Sequence, residues 1–239
     1  MAKSETPTAV VAGLGPGLGE ALCRRLVGAG YRVAGLARDL STAERLKQAL
    51  NRKDRVFVGR ACDVTDPSSV TDAVAQIKRE LGDISVYIHN AAHLLLKPFI
   101  ETTPAEFEAL WRVTCLGAVN GAHAVLPSML RAGRGSLLFL GATASVKGGP
   151  QSAAFSSAKF ALRGLAQSLA RAYGPEGIHI AHLVIDGVIW GDRARARFRM
   201  SDDQCLAPMA VAETCLQLIG QDRSAWTQEL NLRPDVEKF

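Results

Sequence analysis

Nothing in this 239-residue sequence is an apolar run long enough to be read as a bilayer span. The best candidate, Ile178 to Trp190, is interrupted by His179, His182 and Asp186. Met1 to Thr8 is short and polar, with no apolar stretch ahead of a small-residue cleavage site, so a secretory signal is not expected. Cysteine is scarce. The five (Cys23, Cys62, Cys115, Cys205 and Cys215) form no CxxC pair, and none stands at ligand spacing from a histidine. That argues against a disulfide framework and a metal site, and for small buried residues in a reduced, cytoplasmic protein. Charge of neither sign dominates: the net charge of +5 is mild and suits an anionic cofactor or substrate. Repeats, low-complexity stretches and linkers are absent too. With 48% apolar and 21% charged residues, the expectation is one globular domain spanning 1–239.

What is present is a steady alternation of strand-like and helix-like segments. Thr8–Ala12, Tyr31–Leu36, Arg55–Ala61, Ile84–His89, Ser136–Leu140, His179–Ile185 and Trp226–Leu230 read as strands. Most are unbroken runs of Val, Ile, Leu and Ala, the pattern of parallel strands covered on both faces. Between them the sequence predicts helices over Leu18–Ala29, Thr42–Leu50, Ser68–Leu81, Ala105–Arg131, Ala154–Tyr173 and Ala207–Ile219. The fold class that follows is α/β: a Rossmann-type, doubly wound parallel sheet with helices on both faces.

The first strand runs into Ala12-Gly13-Leu14-Gly15-Pro16-Gly17-Leu18-Gly19 and then directly into a helix. Glycine permits the tight turn and lets backbone amides approach a pyrophosphate at the helix N-terminus. The spacing Gly13-xxx-Gly17-x-Gly19 resembles the short-chain dehydrogenase/reductase fingerprint, with Ala12 where a Thr is usual. Further stations follow in order: Asp63-Val64 after the third strand, Asn90-Ala91-Ala92 after the fourth, and Lys159 in the long helix. The resemblance implies that Asp63 and Val64 lie against an adenine and that Asn90 and Ala91 border the cofactor. It likewise assigns Gly15, Leu18, Gly187 and Val188 to the cofactor site and Lys159 to the active centre. Ala37-Arg38 closes the second strand, where a carboxylate would accept from the adenosine ribose. Arginine can fork onto a 2′-phosphate instead, which favours NADP(H). The plain alternative is a solvated arginine partnered by Asp39.

At the reaction centre the pattern breaks. The family's catalytic Tyr position holds Phe155, its Ser position falls by spacing on Ala142, and its helix-four Asn aligns with Thr114. Phe and Ala have no proton to give. Thr143, Ser145, His93 and Asp186 are the possible substitutes, although each has an ordinary structural explanation: bracing a turn, or standing in a loop. The segment Asp192 to Arg199 carries Arg193, Arg195, Arg197 and Arg199 at alternate positions. It falls where the family keeps its variable substrate loop, here 191–206, and suits a small-molecule, anionic substrate; as a helix it would be a solvated face. No nucleic-acid or membrane partner is expected. By the resemblance, homodimers or homotetramers would pair through the two long helices, along Phe160, Leu162, Leu165 and Leu169. Two functions remain open: an NADP(H)-dependent oxidoreductase with a non-standard active site, or a catalytically silent NADP(H)-binding or regulatory protein.

Overall fold

A computed structural model describes residues 6–51, 55–192 and 194–237. Seven strands pair in parallel: β1 (Thr8–Ala12), β2 (Arg32–Ala37), β3 (Phe57–Ala61), β4 (Ile84–His89), β5 (Gly135–Leu140), β6 (Ile178–Ile185) and β7 (Glu229–Leu232). Their order is β3-β2-β1-β4-β5-β6-β7. Neighbouring residues along a strand feed opposite layers. Val11, Val33 and Leu183 pack under α1 (Leu18–Gly28), α2 (Ser41–Leu50) and α7 (Pro208–Ile219). Val10, Tyr87, Leu137 and Phe139 pack under α3 (Pro67–Leu81), α5 (Gly117–Ala132) and α6 (Ala153–Tyr173). Burial on both faces is why the strand sequences are continuously apolar; all eight residues of β6 are buried.

The predicted long helix over 105–131 is a single rod in two parts. Helix α4 (Pro104–Trp111) begins at a capping box, in which Thr103 and Glu106 bond each other's backbone amides. A wide, π-type turn over Arg112–Leu116 then joins it to α5. Among the described residues this rod, and not Ile178–Trp190, is the long apolar helix: Pro104–Ala132 has a mean hydropathy of 1.3 over an 18-residue window, and 61% of that window is buried inside the fold. By length and composition it could cross a membrane; here it covers the sheet.

One strand is displaced from its expected place. Trp226–Leu230 is replaced by Glu229–Leu232 because loop contacts claim the earlier residues. The Thr227 amide donates to Gln221 Oε1 and the Trp226 indole to the Gln221 carbonyl, while the Trp226 ring stacks on His179 at 4.9 Å. The expected association face also divides. Leu162 is fully buried in the core, whereas Leu165 and Leu169 line a surface groove with Val119, Leu126, Leu130 and Tyr173.

The strand order reverses between β1 and β4, so the carboxyl ends of these parallel strands open a crevice. The Asn90 amide closes that junction by donating to the Ala12 carbonyl at 2.8 Å.

Candidate active site

The glycine turn forms the floor of the crevice. Gly13 has φ +92°, and a Cβ there would stand 2.5 Å from the Ala91 nitrogen, so the two loops touch backbone to backbone. Asn90 Nδ2 donates to the Gly13 carbonyl at 2.8 Å and fixes that contact. Above Gly15 and Gly17 no heavy atom lies within 4 Å of an added Cβ. Helix α1 has no side-chain cap. Glu20 and Ala21 donate to the Gly15 and Gly17 carbonyls, while the preceding amides of Leu18 and Gly19 have no acceptor within the helix. An open, uncapped helix start with free amides and a favourable dipole fits a pyrophosphate.

Arg38 is exposed just beyond β2. Its alternative partner, Asp39, accepts instead from the Ser41 amide at 2.8 Å. Asp63 accepts from the Thr65 amide and hydroxyl at 2.9 and 2.8 Å, and these bonds hold its carboxyl below the usual range, with Arg38 adding to the effect. Val64 is buried, and its carbonyl accepts from Asn120 at 2.9 Å. Arg38 and Asp63 therefore share one flank of the crevice, while Val64 backs it.

Further along stands Lys159, 4% exposed, its Nζ donating to the Leu140 carbonyl at 2.7 Å and 5.8 Å from the centre of the Phe155 ring. Burial lowers its pKa from 10.5 to about 8. Since the unfolded chain holds that proton more tightly, stability should rise with pH between about 8 and 10.5. Below pH 8 the buried ammonium costs about 3 kcal/mol. Lys159→Met should flatten that rise; urea titrations at pH 8 and 10 that show equal slopes for wild type and variant would contradict it.

The proposed substitutes for the missing Ser and Tyr separate. Ser145 is fully buried, and its Oγ accepts from the Ala142 amide at 3.1 Å. Thr143 Oγ1 donates to Asp186 Oδ1 at 2.7 Å, and Arg233 pairs with Asp186 Oδ2 at 3.0 Å. His93 is exposed in the loop after β4. Gly187 and Val188 are half-buried beyond Asp186, where the Val188 carbonyl accepts from Leu206. Of the arginine segment, Arg193 lies outside the described residues. Ala194–Phe198 forms a wide helical turn with Arg195 and Arg197 exposed.

Beneath the centre lie two histidines whose places in apolar strands, His89 at the end of β4 and His182 inside β6, are the available signal. His89 and His182 are fully buried in β4 and β6. Burial first, then the Lys159 charge, hold His89 near a pKa of about 3. Burial takes His182 to about 4 against the pull of Glu229. His182 Nδ1 lies 3.1 Å from Glu229, which also receives a two-pronged bond from Arg163 at 2.7 Å. A Cβ on Gly141 would sit 2.3 Å from His182 Nε2 and 2.7 Å from Ser145 Oγ, so only glycine leaves these two groups room.

Residues 7–195 match the family described as short chain dehydrogenase, and the chain belongs to it. Its relatives are oxidoreductases, and the family uses nicotinamide cofactors. An uncharacterized oxidoreductase of Staphylococcus saprophyticus is 25% identical over 238 residues, covering 98% of this chain and all of that protein. L-2,3-butanediol dehydrogenase of Corynebacterium glutamicum is 29% identical over 76% of this chain and 71% of its own length. Among solved structures, a short-chain dehydrogenase from Rhodopseudomonas palustris superposes with a TM-score of 0.84 at 32% identity, over 95% of this chain and 98% of that one.

Proposed function

We propose that the protein is an NADP(H)-dependent oxidoreductase acting on substrates that need little proton donation from the enzyme. The observation that carries this reading is an open, uncapped glycine cradle beside Arg38, leading to a centre that retains Lys159 but offers no hydroxyl at Phe155 or Ala142. When bound, the dinucleotide supplies or accepts a hydride. The Leu18 and Gly19 amides would hold its pyrophosphate and Arg38 its 2′-phosphate. Asp63 and Val64 would border the adenine, Asn90 and Ala91 the middle of the crevice, and Lys159, Gly187 and Val188 the nicotinamide end. The Thr143 hydroxyl proton is committed to Asp186, and Ser145 is out of a substrate's reach. Activated double bonds and iminium ions are therefore better acceptors here than simple ketones.

The reading takes the protein as cytoplasmic, with the groove on α5 and α6 as the association face of a homodimer or homotetramer. A second reading, a silent NADP(H)-binding regulator, is favoured by one observation: both nearby hydroxyls are spent on internal bonds.

Calorimetric titration with NADPH and NADH side by side tests the cofactor, followed by NADPH oxidation assays with enones and imines. Arg38→Ala should weaken NADPH about tenfold or more, the scale of one charge-assisted bond, and leave NADH unchanged. Equal losses for both would remove the phosphate role. Tight NADPH binding with no oxidation by any acceptor would favour the silent regulator.

A further inference from the structure

We infer that the substrate is an amphipathic anion: an acyl chain lying along the loop after β4, with its charged head at the loop after β6. This rests on the oxidoreductase reading of the same site. The missing Tyr hydroxyl leaves hydrocarbon behind. Phe155 packs with Leu95 and Phe107 against Leu110, Ala154 and Ala158, a cluster separate from the two cores under the sheet. That cluster continues outward, because Phe107 meets the Phe99 ring edge-on at 6.1 Å. Phe99 is 64% exposed and its neighbour Ile100 92%.

The loop is pinned with these side chains outward. The Lys97 amide donates to the Gln151 carbonyl at 2.7 Å, and its ammonium bonds Glu106 at 3.0 Å. Scattered exposed apolar residues need no explanation, but a patch continuous with a reaction centre reads as a binding surface.

Across the centre the chemistry reverses. Arg195 is 61% exposed, paired among the described residues only with the outlying Asp192 and resting over the Trp190 ring at 5.2 Å. Arg197 lies over Phe198 at 5.9 Å and makes no ion pair among the described residues. Strands β4 and β6 both flank β5, so the two loops leave the sheet on either side of β5, from strand ends about 10 Å apart by two strand spacings. One ligand can touch both.

Full-length protein, with and without NADPH, should be titrated calorimetrically with dodecanoate, butanoate, dodecanoyl-CoA, CoA and dodecanol. Dodecanoate or dodecanoyl-CoA should bind at least about tenfold more tightly than the short-chain counterpart, since each buried CH2 adds up to about fourfold. Binding of dodecanoate identifies a free carboxylate; binding of the thioester alone identifies an acyl carrier. Arg195→Glu with Arg197→Glu should cut affinity for the charged ligand about tenfold and spare dodecanol. Phe99→Ser with Ile100→Ser should erase the preference for long chains. Affinity independent of chain length, or indifference to the charge reversal, overturns the proposal. So does a change in sedimentation of the Phe99/Ile100 variant without a change in binding, which would assign the patch to a second copy of the chain. NADPH binding without acyl binding defeats this inference alone, whereas acyl binding without NADPH binding defeats the cofactor reading alone.

Discussion

Phe155→Tyr combined with Ala142→Ser is expected to raise NADPH-dependent reduction of small reactive ketones by about 10²- to 10⁴-fold, the range for a positioned proton donor. The surroundings are already suited to the new hydroxyl. Lys159 lies 5.8 Å from the centre of the Phe155 ring, buried and charged, and would lower the pKa of a phenol placed there. Ala142 is half-buried on the facing loop. Either single change should recover much less, because groups that act as a unit do not contribute independently. Comparing kcat/KM for the double variant, both single variants and wild type measures the effect. An unchanged value with NADPH binding intact would mean that the pocket, not the missing proton, limits reduction.

Gly13→Ala should be the most damaging single change in the cradle. Its φ of +92° already disfavours a side chain, and the added Cβ would meet the Ala91 nitrogen at 2.5 Å, the Ala91 Cα at 2.7 Å and the Asn90 carbonyl carbon at 2.9 Å. All three are backbone atoms, so no rotamer change relieves the contact. The junction of β1 with β4 must open, breaking the Asn90 bonds to Ala12 and Gly13. Left-handed strain and overpacking together predict about 3 kcal/mol or more of lost stability and at least tenfold weaker NADPH binding. Gly15→Ala is the contrast, since nothing stands within 4 Å of its Cβ. It should leave the denaturation midpoint nearly unchanged yet weaken NADPH by filling the cradle. Equal stabilities for the two variants would refute the argument.

Much of this arrangement was legible in the sequence because it is local. The glycine turn, the Asn90 junction and the Phe155/Lys159 spacing each sit within a few residues of a strand or helix end. Six of the seven strands fall within two residues of their expected bounds. The seventh does not, because Trp226 and Thr227 have strand-like side chains but are bound by Gln221, and no periodicity announces a side chain that outbids a ladder. Long-range polar links were equally hidden. Arg163, His182 and Glu229 are ordinary residues until β7 pairs with β6 and brings them together. Thr143 and Asp186 looked like spare hydroxyl and spare carboxylate; their mutual bond gives each a structural use. The apolar wall of Leu95, Phe107 and Phe155 draws on three separate segments, so only their packing makes it visible.

The position of β7 has a consequence for how the molecule is built. Glu229 holds His182 and Arg163, and Arg233 holds Asp186, which in turn holds Thr143. The cradle around Gly13 needs only β1, β2 and β4, whose pairing is complete by residue 90. A chain emerging from the ribosome can therefore assemble its cofactor floor while the reaction centre still waits for the last strand. The catalytic loops should therefore be the late-ordering part of the fold, because their anchors Glu229 and Arg233 are made last.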